Sequence, residues 1–120
     1  MVYSAKITEI GSMVKGFLEE KMLILFDDQA PKSLKDMSVC HRCDEKPEGV
    51  TVGDHIRFGE KTYIVTAVGD EANHTFYTTG HCTFIFNGAD NATLPGQIEL
   101  SGKGLPELKV GDCIEFIIEN

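Results

Sequence analysis

From Val2 to Ile10 the residues Tyr3, Ala5 and Ile7 share one parity, the period of a strand with one buried face. Gly11-Ser12 breaks that pattern, and Phe17 to Lys21 predicts a single helical turn. Met22 to Phe26 is a continuous apolar run, short enough for a strand buried on both faces, and Asp27-Asp28 ends it. Residues 30–37 predict a short helix with Pro31 in its first turn. Lys46-Pro47-Glu48-Gly49 reads as a turn.

Val52-Gly53-Asp54-His55-Ile56-Arg57-Phe58 then recurs as Val110-Gly111-Asp112-Cys113-Ile114-Glu115-Phe116. Gly-Asp makes a turn and the alternation after it makes a strand. Two copies of one unit point to a pseudo-symmetric β architecture. The rival reading is that Val-Gly-Asp is simply a common way to enter a strand. Between the copies, Gly59-Glu60-Lys61 leads into Tyr63 to Val68 as a hairpin. Asp70 caps a short helix over residues 71–76, and Gly80 ends it. His81 to Phe86 is a strand, and Asn87-Gly88 opens a polar loop as far as Pro95-Gly96. Gln97 to Leu100 and Asp112 to Ile118 are further strands. Seven or eight short strands with turn signals, and one or two short helices, predict an all-β closed, barrel-like sheet. No βαβ alternation and no domain boundary appears, so residues 1–120 form a single domain.

Composition narrows the function classes. A chain of 120 residues can bury roughly two-thirds of its unfolded surface, so no disulfide or metal is needed to fold it. The net charge of −8 argues against nucleic acid, whose phosphates call for Lys and Arg clusters, and suits docking to a basic partner. No apolar run approaches the ~20 residues of a membrane span, which argues against direct membrane insertion. No basic-then-apolar leader opens the sequence, so a cytoplasmic location is expected. The four cysteines are then expected as thiols.

Chemistry concentrates in residues 34–45, where Cys40-His41-Arg42-Cys43 is followed by Asp44 and Glu45. The C-x-x-C spacing allows a redox pair, but the thioredoxin-like βαβ context is missing. It also allows half a zinc site, with His81, Cys82 or Cys113 needed to complete it. The bland reading makes the thiols packing residues and His41 a surface imidazole. The fourth reading is nucleophilic: a neutral imidazole attacks phosphorus through one nitrogen while a hydrogen bond holds the other. Such a carrier needs donors for the phosphoryl oxygens, and Arg42 or a second histidine would serve. His55 and His74 read as solvated. His81, after Gly80, reads as a packing residue and as the best-placed second imidazole. Asp44, Glu45 and Glu48 read as a solvated loop or as an acidic rim for a partner.

Thr66-Ala67-Val68-Gly69, Gly80-His81-Cys82-Thr83-Phe84, Phe86-Asn87-Gly88 and Leu94-Pro95-Gly96-Gln97-Ile98 carry a resemblance. With the N-terminal layout of an apolar strand, Ala30-Pro31, Leu34 and a histidine at 41, the whole chain resembles the glucitol/sorbitol-specific enzyme IIA component of the bacterial sugar phosphotransferase system (PTS). The resemblance implies a phosphotransferase component without a cofactor. It would accept phosphate from the phosphocarrier HPr on a histidine and pass it to a cysteine of the IIB component. The sugar alcohol is then phosphorylated as it crosses the membrane through IIC. His41 matches the family's phosphorylated histidine. On chemical grounds, and not from the resemblance, His81 is expected to support the imidazole or the phosphoryl oxygens, and Arg42 to make a phosphate contact. Two alternatives remain: a metal- or ligand-binding module using Cys40, His41 and Cys43, and an inactive relative that only docks.

Overall fold

The computed structural model describes residues 1–119. Its strands are β1 (Val2–Ile10), β2 (Met22–Asp27), β3 (Val39–Cys43), β4 (His55–Phe58), β5 (Lys61–Val68), β6 (Cys82–Ile85), β7 (Gln97–Ser101) and β8 (Cys113–Ile117). Helices α1 (Val14–Glu19), α2 (Lys32–Lys35) and α3 (Ala72–Thr79) follow β1, β2 and β5. The sheet closes on itself in the order β1-β3-β2-β6-β7-β5-β4-β8. Closure pairs every strand on both sides and leaves no edge open to another chain. This is the expected closed barrel, with two refinements. All three helical signals form helices, and the barrel is mixed, because β2–β3 and β6–β7 run parallel.

Alternation along each strand sends one parity inward. Ala5 and Ile7 of β1 are buried, as their period predicts. In β2, Leu23 and Leu25 are fully buried, while Met22, Ile24 and Phe26 are half-buried on the outer face. The run was expected to be buried on both faces; α1 packs over β2 and gives that outer face only partial cover. Phe58, Tyr63, Phe84 and Phe116 fill the interior, with Phe58 making edge contacts to Tyr63, Phe84 and Phe86. Each fully buried side chain of this size contributes roughly 1.5–3 kcal/mol.

The repeated heptad is a repeat in three dimensions. The Thr51 amide donates to Asp54 Oδ2 at 2.8 Å, and the Lys109 amide to Asp112 Oδ2 at 3.0 Å. Gly53 N–H donates to Val65 O at 2.9 Å and Val65 N–H to Asp54 O at 2.8 Å. Gly111 N–H and Ile7 N–H make the same pair with Ile7 O and Asp112 O, at 2.9 and 2.8 Å. Gly53 and Gly111 take φ of 100° and 98°, which suits glycine alone. Strands β4 and β8 then pair with each other, Ile56 opposite Phe116 and Phe58 opposite Ile114.

The correspondence continues at a near-constant offset. β1 and β5 both shift register, at Ile7/Glu9 against β3 and at Val65/Ala67 against β7. Gly11 lies against the carbonyls of Lys35 and Asp36, and Gly69 against those of Leu94 and Pro95, where no Cβ fits. The left-handed residue before β2 is Lys21, and before β6 it is Gly80. The barrel is therefore two like halves, each a strand, a helix, a strand, a crossover to a parallel strand, and a closing strand.

Candidate functional site

His41 lies on β3 and shares the inward parity of Val39, so its ring points into the barrel and is 0% exposed. The ring stacks on Phe76 of α3, with centroids 5.5 Å apart and an interplanar angle of 20°. Its Nε2 is 2.9 Å from Gly80 O. A carbonyl only accepts, so Nε2 carries the proton and Nδ1 holds the lone pair. Nδ1 is buried and has no partner among the described residues. Burial lowers the imidazole pKa, which keeps the ring neutral.

Gly80 ends α3 in the left-handed region, with φ 69° and its N–H donating to Phe76 O at 2.8 Å. A Cβ here would stand 2.8 Å from both His41 Cε1 and the Asp27 amide nitrogen. Glycine is therefore required twice, by its backbone and by the imidazole beside it.

His81 is the next residue, and it faces the other way. Cys82 at the start of β6 points inward, so His81 lies on the outer wall, half-buried. Its ring stacks on Phe26, centroids 4.2 Å apart and 14° from parallel. Nδ1 is 3.1 Å from Leu25 O, so Nδ1–H donates and Nε2 keeps its lone pair. Nε2 has no protein partner among the described residues and is not enclosed. The backbone is pinned on both sides: His81 N–H donates to Thr75 O at 3.3 Å, and Thr75 Oγ1 donates to His81 O at 2.8 Å.

Arg42 also lies on the outer wall, with its side chain 69% exposed. Its Nε and Nη2 donate to Asp28 Oδ2 at 3.0 and 2.6 Å. That hydrogen bond holds the Asp28 carboxyl below its usual range. Phe26 pairs with Cys40, and Leu25 with Cys82, so this register lines up Arg42, Phe26 and His81 on one face of three adjacent strands. The structure thus groups Arg42 with His81. It joins His41 to His81 only through the Gly80 peptide.

The C-x-x-C pair does not converge. On a strand, residues three apart point to opposite faces, about 10 Å apart along the chain. Cys40 is buried on the outer side, and Cys43 Sγ donates to Glu45 O at 3.1 Å. Burial pushes both thiols above their ordinary pKa, away from the thiolate a metal or redox site needs. Cys82 is in the core and Cys113 is exposed, and no group of three or more metal-ligating side chains comes together among the described residues. His55 lies 3.4 Å from Glu119 at the surface, and His74 is on α3.

Asp44, Glu45 and Glu48 lie together in the loop after β3. They border a cleft of about 620 Å³ at the end of β3, with Met1, Tyr3 and Tyr77. Lys46 Nζ crosses it to Tyr77 O at 3.2 Å.

The repeat isolates the chemistry. The positions equivalent to His41, Gly80 and His81 are Leu100, Lys21 and Met22. Only one of the two equivalent barrel ends carries imidazoles. The surface imidazole of the bland reading is overturned: no strand was expected over residues 39–43, but β3 forms there and His41 shares the buried parity of Val39, a pattern that could have placed it inside; nothing local signalled that Gly80 O would hold it.

Comparison with known proteins extends over the whole chain. The profile of the family described as the PTS system glucitol/sorbitol-specific IIA component matches residues 2–115. Glucitol/sorbitol-specific EIIA components of the PTS from Shigella flexneri and from Escherichia coli (strain K12) are each 30% identical over 116 residues, 97% of this chain and 94% of theirs. The crystal structure of a PTS system IIA component from Enterococcus faecalis V583 superposes with a TM-score of 0.82 at 29% identity, covering 96% of this chain and 99% of that one. No helix among the described residues is long and apolar enough to cross a membrane.

Proposed function

The chain belongs to the glucitol/sorbitol-specific IIA components of the PTS, and from that premise we propose that it carries a phosphoryl group on a histidine, taken from phospho-HPr and passed to a IIB component. It works in the cytoplasm, beside the IIB and IIC components that carry the sugar alcohol across the membrane, and has no nucleic-acid partner. The observation that carries the reading is the pair of imidazoles flanking Gly80. Each has one nitrogen anchored to a backbone carbonyl and the other left as a bare lone pair. That is the ground state of a nitrogen nucleophile, with tautomer and ring orientation already set.

The resemblance implies that His41 accepts the phosphoryl group; on the chemistry of the side chains, His81 supports it and Arg42 meets the oxygens. That assignment requires the end of α3 to lift, because the His41 ring is enclosed by Phe76 and Gly80. Giving up one hydrogen bond and one aromatic contact costs on the order of 2 kcal/mol, which leaves about 3% of molecules open at any moment. An acidic cleft rim at Asp44, Glu45 and Glu48 supports docking of a basic carrier.

The test is phosphoryl transfer from phosphoenolpyruvate through enzyme I and HPr, read by intact mass. One acid-labile phosphate per chain is expected. An unmodified chain beside demonstrably phosphorylated HPr would overturn the carrier function.

A further inference from the structure

We infer that Lys46 is the latch on the lid over His41: at rest its ammonium holds the last turn of α3 shut, and when that turn lifts it moves to the phosphoryl group arriving at His41. The inference rests on the carrier reading and on His41 as the acceptor.

The last turn of α3 has two faces. Inward, Phe76 and Gly80 cover the His41 ring. Outward, the exposed Tyr77 lines the cleft of about 620 Å³ together with Cys43 and Lys46. Cys43 follows His41 by two residues on β3 and shares its inward parity, so the cleft opens onto the His41 end of the barrel, about 7 Å away along the strand.

Tyr77 O is an orphan at the helix end. The His81 amide, its partner had the helix continued, turns back to Thr75 O at 3.3 Å, and the Gly80 amide goes to Phe76 O at 2.8 Å. Lys46 Nζ donates to Tyr77 O at 3.2 Å instead, and its positive charge suits the carbonyl end of a helix. The start of α3 is tied to the same loop more firmly. The Val50 amide donates to Asn73 Oδ1 at 2.9 Å, and Asn73 Nδ2 donates to Val50 O at 3.0 Å, both part-buried. Two bonds at Asn73 make a hinge, and one exposed bond at Lys46 makes a latch. The latch adds to the His41 contacts that hold the lid and lowers the resting open population further.

Once the lid is up, Lys46 has a better partner. An ammonium gains more from an anionic phosphoryl oxygen than from a neutral carbonyl. Burial is the main reason the His41 pKa is lowered, and the nearby Lys46 charge adds to it, so the ammonium already stands within electrostatic reach of the ring. A basic carrier drives the exchange. Its cations, drawn to Asp44, Glu45 and Glu48 beside the cleft, repel the Lys46 ammonium and weaken its hold on Tyr77 O. In the transfer a His41 ring nitrogen forms the new N–P bond with its lone pair. The donor N–P bond breaks, its electron pair stays on the donor ring, and Lys46 moves no proton.

The test reads lid and transfer separately on wild type, Lys46→Met and Lys46→Arg. Acylation of His41 by diethyl pyrocarbonate at about pH 8, where imidazole is neutral, is followed site by site by mass and reports how often the lid is open. His74, exposed on α3, is the internal standard. Transfer from phospho-HPr gives kcat and KM. Lys46→Met should acylate at His41 roughly threefold to tenfold faster than wild type, with His74 unchanged, yet its kcat should fall roughly tenfold. A merely structural role would not move the two in opposite directions. Lys46→Arg should return both toward wild type. Unphosphorylated HPr should speed His41 acylation in wild type and not in Lys46→Met. Unchanged His41 acylation in Lys46→Met would overturn the latch. Faster acylation with an undiminished kcat would overturn the move to the phosphoryl group. A wild-type chain that takes no phosphate from phosphorylated HPr would overturn the carrier reading, and the acylation rates would still decide the latch.

Discussion

Gly80 and Lys21 occupy equivalent positions with nearly the same backbone, φ 69° and 62°, yet only one of them is glycine. The difference is the neighbour. At Gly80 a Cβ meets His41 Cε1 and the Asp27 amide nitrogen at 2.8 Å, a contact that real Cβ atoms do not make. Gly80→Ala should therefore cost about 2–4 kcal/mol, combining left-handed strain with displacement of His41. Lys21→Gly relieves only the strain and should be neutral or stabilise by up to about 1 kcal/mol. Urea melts of the two variants check this, and equal effects would mean that His41 does not press on Gly80. That Gly80 ends a helix was legible in the sequence. The reason it must be glycine was not, because the crowding group comes from a strand 39 positions earlier in the chain.

At the scale of elements, the crossovers decide what is buried. Parallel neighbours cannot be joined by a hairpin, so the chain must cross over after β2 and again after β6. The first crossover was legible as the helix of residues 30–37. The second, residues 87–96, read only as a polar loop. It lies over β7, where the Thr66 hydroxyl meets both Ala89 O and Glu99 O. Glu99 points outward from the barrel, yet it is fully buried beneath this segment, and neither carboxylate oxygen has a hydrogen-bond partner among the described residues. Burial raises its pKa above the ordinary carboxyl value of 4.5. The folded state then binds a proton that the unfolded state releases, so this contribution is complete below about pH 4.5 and is lost as pH rises through the folded value. Glu99→Gln keeps the shape and removes the titration. Its melting temperature should exceed wild type at pH 8 and converge with it near pH 4.5. A constant gap across that range would show that Glu99 does not titrate between the states. His41 has the opposite sign: burial lowers its pKa, so acidification through its ordinary value of 6.5 destabilises the fold, and H41Q should flatten that acid limb. The same element view explains why residues 34–45 were harder to read than the hairpins. β3 is short, with polar residues at both parities, and its closing Cys-His-Arg-Cys looks like a loop until parallel pairing with β2 forces it to alternate.

For the whole molecule, two like halves make one barrel, and function sits where the halves differ. The repeat was legible in two heptads because Gly-Asp is required by backbone geometry at both turns. Its full extent was not, because elsewhere the halves keep shape without keeping residue type: His41 answers to Leu100, and Cys40 to the buried Glu99. The matching turns allow a direct measurement of how far the halves have diverged in energy. Asp112 is half-buried and its carboxylate accepts the Lys109 amide at 3.0 Å. Asp54 does the same for Thr51 at 2.8 Å, but it is buried and also takes the Glu119 amide at 3.0 Å. Removing Asp112 leaves a donor that water can reach, at a cost of about 1 kcal/mol. Removing Asp54 leaves two part-buried donors without their acceptor, at about 2–3 kcal/mol, and frees residue 119 from the turn before β4. Asp54→Ala should therefore lower the urea midpoint at least twice as far as Asp112→Ala. Equal losses would mean that Glu119 contributes nothing and that the two turns remain equivalent in energy as well as in shape. The double variant should lose the sum of the two, because Asp54 and Asp112 share no hydrogen-bond partner. A loss well beyond the sum would show that β4 and β8, paired along their length, carry strain from one turn to the other.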